Sequence, residues 1–223
     1  MNINLKEVSE ELKNIVLSRT FDAILPPLVF AVSNNIFGLT TAVLFASATA
    51  VFLLVKRVLK NQNWKYSISG LIIVLAASSL AYFTENASNY FLPAILSSSL
   101  LFLSALISII IGKPLAAWAS HLSRGWPLDW FWRDDVKPAY REVTFFWAAF
   151  FLLRLAAQVV LYRMASPLLL AWANTLLGWP FTILILVLSY IYGLWRLKNL
   201  GGPGVEEFKE GKEPPWEGQK RGF

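Results

Sequence analysis

Cysteine is absent from the 223 residues, and histidine occurs once, at His121. The first absence excludes disulfides, thiolate nucleophiles and cysteine metal sites. The second leaves a single, unaccompanied imidazole, expected to be an ordinary residue of its segment. Charge is also scarce. Only 15% of residues are charged and 56% are hydrophobic, with a mean hydropathy of +0.52. Soluble domains carry about 25% charged residues, and a soluble core of this size could not bury so much apolar surface. A bilayer can accommodate it, because lipid replaces water around the helices. Phosphate-binding glycine loops, nucleophile elbows and zinc-protease helix motifs are missing. No catalytic residue and no cofactor are therefore expected. Asp129, Asp134 and Asp135 sit beside Arg133 and Lys137, and are expected to be neutralised there rather than to bind a metal.

What the chain does have is a series of apolar runs near the roughly 20 residues that a transmembrane helix needs. The expected spans are Phe21 to Ile36, Phe37 to Val55, Tyr66 to Phe83, Phe91 to Ile111, Thr144 to Tyr162, and a last one from about Pro180. The first contains Pro26-Pro27 and should end in a tight turn at Ser33, Asn34 and Asn35. Asp22, as a first-turn acid, would favour the positive end of the helix dipole. Ala42, Ala46 and Ala50 recur every four residues in the second span, which lets another helix approach closely. Leu168 to Trp195 is too long for one span, and Gly178-Trp179-Pro180 should break it into a short helix and a full span.

The fold class is thus all-α, a transmembrane bundle of about six spans. Leu5, Val8, Leu12 and Ile15 mark residues 1–19 as an amphipathic helix on the cytoplasmic surface rather than a cleavable signal. Residues 20–198 form the six-span domain. The tail at 199–223, rich in Gly, Pro, Glu and Lys, should be disordered. The net charge is +6, which would raise nucleic acid for a soluble chain. Here the bases sit in every second loop instead. All of the 20 lysines and arginines except Arg154 and Arg163 fall before span one, after span two, after span four or in the tail. By the positive-inside rule those segments, and so both termini, are cytoplasmic.

Two features invite a functional reading. The loop 112–142 interleaves Trp118, Trp126, Trp130 and Trp132 with charged residues, as suits an interfacial helix or a partner contact. Arg154 lies near the middle of span five, where insertion scales put its cost at about 2.5–3.5 kcal/mol. Gln158 and Tyr162 follow at four-residue steps, so the three share a helix face. Ser98 and Ser104 of span four lie at comparable depth. This polar set either holds helices together or receives an anionic group such as a lipid phosphate or a small carboxylate.

Several motifs resemble known families. Phe21-Asp22-Ala23-Ile24-Leu25-Pro26-Pro27, Gly112-Lys113-Pro114-Leu115 and Trp147-Ala148-Ala149-Phe150-Phe151 resemble motifs of the bacterial intracellular septation protein A family. Phe91-Leu92-Pro93, Arg154-Leu155-Ala156-Ala157-Gln158 and Gly178-Trp179-Pro180 resemble more closely a related multi-pass family, known as a domain of unknown function and common in actinobacteria. The resemblance covers about residues 20 to 196. It implies a multi-pass protein of the bacterial inner membrane. For septation relatives it further implies a non-enzymatic role in envelope maintenance, with lipids and envelope or division proteins as partners. A homo-oligomer is compatible with it. The alternative is a small transporter or channel for an anionic or lipid-like substrate, with Arg154 in its pathway.

Overall fold

A computed structural model describes residues 24–60, 64–219 and 222–223. The expected N-terminal amphipathic helix and Asp22 lie outside the described residues. Among the described residues the structure is helical, with no strand. The helices are α1 (Ile24–Phe37), α2 (Leu39–Leu59), α3 (Trp64–Phe83), α4 (Leu92–Ile110), α5 (Leu115–Arg124), α6 (Leu128–Phe131), α7 (Lys137–Arg163), α8 (Pro167–Leu176), α9 (Trp179–Leu200) and α10 (Val205–Lys209), with a 3₁₀ turn at Ala87–Phe91 before α4.

Four stretches, Leu39–Leu59, Ala87–Ile110, Lys137–Arg163 and Pro167–Leu200, are long and apolar enough to cross a membrane. Ile24–Phe37 and Ile68–Phe83 are apolar but shorter. Large apolar side chains stand exposed along these helices, among them Phe52 at 63%, Ile110 at 74% and Phe83 at 82%. Water would penalise such continuous apolar surface heavily. Hydrocarbon does not, and the chain is a membrane protein.

The chain divides into two compact units. The first comprises the described residues up to Ile95 together with Ala157–Trp179. Here Ala42, Ala46 and Ala50 of α2 are buried, as are Ala77 and Ala81 of α3. With no side chain beyond Cβ at these positions the two helices approach closely, as the alanine spacing predicts. Phe30 of α1 stacks on Tyr90 with ring centroids 4.0 Å apart. One local expectation fails. Ser33, Asn34 and Asn35 are helical, and the turn falls at Gly38, whose φ of 83° is left-handed. Only glycine takes that conformation without steric cost, so the chain turns where glycine stands and not at the asparagines.

The second unit comprises Leu96–Ala156 and Pro180–Phe223. Ala105 and Ile109 of α4 pack with Ala148, Phe150 and Phe151 of α7. Thr144 Oγ1 donates to the Tyr140 carbonyl at 2.7 Å and accepts from the Ala116 N–H at 3.2 Å, pinning α5 to α7. The break expected at Gly178 separates α8 from α9.

The tail corrects a further expectation, for it is folded rather than disordered. Gly202, Pro203, Gly204 and Val205 are buried. The Glu207 carboxylate gathers the backbone N–H groups of Gly204, Glu217 and Gly218 at 2.7, 2.8 and 3.1 Å. These bonds hold its carboxyl below the ordinary range. A Gly- and Pro-rich composition predicted disorder, and local capture by one carboxylate together with burial against α6 overrides it.

Candidate functional site

The intramembrane polar residues lie mostly on α7. Its sequence favours a helix from Pro138, which its missing N–H suits to the first turn, and continues through a largely apolar stretch, interrupted by Arg154 and Gln158, to Arg163. Gln158 is fully buried and its Nε2 donates to Asn174 Oδ1 of α8 at 2.7 Å. Asn174 Nδ2 in turn donates to the Leu170 carbonyl at 2.8 Å. The Tyr162 hydroxyl donates to Asn89 Oδ1, and Asn89 Nδ2 donates to Thr84 Oγ1 at 2.7 Å. Gln158 and Tyr162 are therefore engaged in bonds inside the first unit. Gln158 Oε1 is left without a partner among the described residues. Asn89 and Asn174, the acceptors, escaped the sequence analysis. Asn174 was detectable by the same reasoning that singled out Gln158, as an amide inside an apolar run.

Arg154 stands apart. It is half-buried, its Nε is fully buried with no hydrogen-bond partner, and no carboxylate pairs with it among the described residues. Ser98 is buried at 2% exposure, on the α4 face that also buries Ala105 and Ile109. Ser104 is exposed. The expected pairing of these serines in one polar set fails for Ser104, because six residues along a helix turn it through 600° and off the buried face.

The tryptophans divide as well. Trp118 and Trp132 are half-buried with ring centroids 5.9 Å apart, and the Lys113 ammonium lies 5.9 Å from the Trp132 ring. Trp126 is half-buried beneath the Arg124 guanidinium, 4.9 Å from its ring. Trp130 is wholly buried, which corrects its placement as a contact residue. Its indole N–H donates to the Pro203 carbonyl at 2.9 Å, and its ring packs edge-on against Phe131 and Tyr140. A buried indole needs a partner for its N–H, and the tail supplies one. His121 Nδ1 lies 2.6 Å from the Trp126 carbonyl, a local bond closing the turn after α5. Arg133 grips Asp135 through two bonds of 2.8 and 2.7 Å, which raise the guanidinium pKa. That pair accounts for part of the acidic cluster, as expected. Among the described residues no group of three or more His, Asp or Glu side chains is placed to hold a metal.

An α-helical membrane protein with a folded aromatic module, and with an arginine inside one of its long apolar helices, is thus defined. The chain belongs to the DUF3159 family, described as proteins of unknown function, whose model matches residues 17–196. No curated protein and no solved structure matches it.

Proposed function

We propose that this chain is a non-enzymatic, multi-pass protein of a bacterial inner membrane. In this reading it has six spans and cytoplasmic ends, and supports the cell envelope or septation through protein or lipid contacts. The alternating loop charges and the four long and two shorter apolar helices support the topology. The motifs resembling septation protein A support the role. The observation that carries the contact reading is the half-exposed Trp118–Trp132 pair beside Lys113. Aromatic rings flanked by a cation, presented by α5 and by the turn that ends α6, suit a headgroup layer or a protein partner.

A second reading has one observation in its favour. Arg154 brings a charge into the membrane with no counter-charge among the described residues, which fits a path or seat for an anionic or lipid-like substrate.

One complementation experiment separates the two. A strain lacking the protein is expected to show an envelope defect, scored as sensitivity to detergent or cell-wall antibiotics and altered cell dimensions. Under the contact reading, a Trp118→Ala, Trp132→Ala double variant at wild-type abundance fails to restore the strain, whereas Arg154→Leu restores it. The opposite pattern overturns the contact reading in favour of the anion path. Absence of any envelope defect overturns the envelope role itself.

A further inference from the structure

Lys137 and Arg141 stand one turn apart at the start of α7. With Asp134, Pro138, Glu142 and Phe145 they line an open cleft of about 330 Å³. Its charges are not matched internally. Glu142 is already engaged: Arg196 donates to it from Nε at 2.8 Å and Nη2 at 3.0 Å, and the Tyr192 hydroxyl donates at 2.7 Å. Asp134 is exposed. Among the described residues, neither Lys137 nor Arg141 takes part in an ion pair. The cleft therefore offers two cations outside any ion pair, among the described residues, against one solvated carboxylate.

What continues from the cleft decides its ligand. At 100° per residue, Lys137, Arg141, Phe145 and Leu152 fall on one face of α7. Phe145 is 49% exposed and Leu152 48%, and Ala149 beside them is exposed too. The cationic end of this face thus runs straight into an uncovered apolar stripe. The Arg141 guanidinium lies 6.0 Å from the Phe145 ring, at the junction of the two. From Arg141 to Leu152 the helix rises about 16 Å at 1.5 Å per residue. That is close to half of the roughly 30 Å hydrocarbon core, the depth of one leaflet.

We propose that this cleft and stripe bind one anionic glycerophospholipid. Its phosphate lies between Lys137 and Arg141, and an acyl chain follows Phe145 and Leu152. A soluble phosphate compound would satisfy the cations but leave the stripe unused. A lipid with a quaternary ammonium headgroup would set its own cation against them. Each Lys or Arg near an anionic surface adds about a factor of five in binding. This proposal rests on the membrane location alone, and on neither role proposed above.

The test uses the full chain, purified in detergent, stripped of lipid and offered equal phosphatidylglycerol and phosphatidylcholine. Bound lipid is read by native mass spectrometry. Wild type is expected to retain phosphatidylglycerol roughly tenfold or more in preference. Lys137→Gln with Arg141→Gln should abolish the preference, while Lys209→Gln with Lys212→Gln, removing equal charge from the tail, should keep it. If the cleft double variant does not fold, Arg141→Gln alone, at an exposed position, carries the test with an intermediate loss. Glycerol phosphate at millimolar concentration should leave the lipid bound. Four outcomes overturn the proposal: no preference in wild type, preference kept by the cleft variants, equal loss in the tail variant, or displacement by glycerol phosphate, which would mark a soluble phosphate site.

Discussion

The Gln158–Asn174 bond permits a sharp test of whether polar residues in this membrane segment are structural. Gln158 is fully buried, donates to Asn174 at 2.7 Å and leaves its own carbonyl oxygen unpartnered. Gln158→Met and Asn174→Leu are close in shape to the originals and remove one partner each. Each single variant strands a polar group where no water reaches it, costing about 1–3 kcal/mol. Asn174→Leu is the harsher, because the Gln158 amide would then lack partners at both ends. Removing both partners together can be nearly neutral, so the double variant should be more stable than the two singles imply. Side-chain hydrogen bonds within membranes average about 0.6 kcal/mol and reach about 1.7. A coupling energy in that range is expected. Its upper half is favoured here, since Asn174 is itself held by the Leu170 carbonyl at 2.8 Å and loses little freedom on accepting. The assay is reversible unfolding of the purified protein in mixed micelles, titrated with a denaturing detergent for all four proteins. Tyr162→Phe, which removes the bond to Asn89, should add independently. Additivity of Gln158→Met and Asn174→Leu within about 0.3 kcal/mol would refute the reasoning. So would unchanged stability in both singles, the result expected if the amides served a ligand instead.

Two predictions concern the tail. The Glu207 carboxylate is held below its ordinary value of about 4.5 by the N–H groups of Gly204, Glu217 and Gly218. A depressed folded-state pKa means that its contribution is complete above the unfolded value and is lost as pH falls through the lower, folded one. Amide exchange across 201–219, corrected for intrinsic rates, should therefore accelerate only below about pH 4.5, and Glu207→Gln should show the faster exchange already at neutral pH. Protection that persists unchanged to about pH 2 in wild type would count against it. The second concerns Gly193 of α9, where an added Cβ would run into the Phe223 ring. That ring stacks on Tyr140 at 4.3 Å and 8°. Gly193→Val should expel Phe223 and expose residues 205–219 to limited proteolysis, whereas Phe223→Ala should expose them equally with no further effect from Gly193→Val. Undiminished protection in Gly193→Val would refute the packing.

Legibility followed the range of the forces involved. The four helices long and apolar enough to cross a membrane were readable because the bilayer imposes a length and an apolar composition that are written locally. The close approach of another helix to α2, though not which helix, was readable because small residues at four-residue steps carry the same meaning wherever they occur. The helix break at Gly178 was readable from adjacent residues alone. Ser104 was misplaced because depth was inferred and helical phase was not. Trp130 was misplaced because its partner, Pro203, lies 73 residues away, and an indole that meets a remote carbonyl looks in sequence like one that meets headgroups. The tail was misjudged for the same reason. Glu207 reads as one more solvated charge until Glu217 and Gly218 fold back onto it.

Gln158 and Arg154 make the same point in energetic terms. A helix that needs only adhesion gains about 0.6 kcal/mol from an amide hydrogen bond, and the amide carries no charge to desolvate. Gln158, with Asn174 opposite, is that solution. An arginine one turn away costs at least about 2.5 kcal/mol to insert, several times what such a bond returns. Guanidinium groups in membranes are normally offset by a carboxylate or by a cluster of acceptors, and Arg154 Nε has neither among the described residues. Adhesion is thus a sufficient explanation for Gln158 and Tyr162, whereas Arg154 shows no such bond from Nε among the described residues. If adhesion were its role, Arg154→Gln would be at least as stable as wild type and fully active. An Arg154→Gln protein that gains stability and loses function would instead place the cost of this cation on the side of binding.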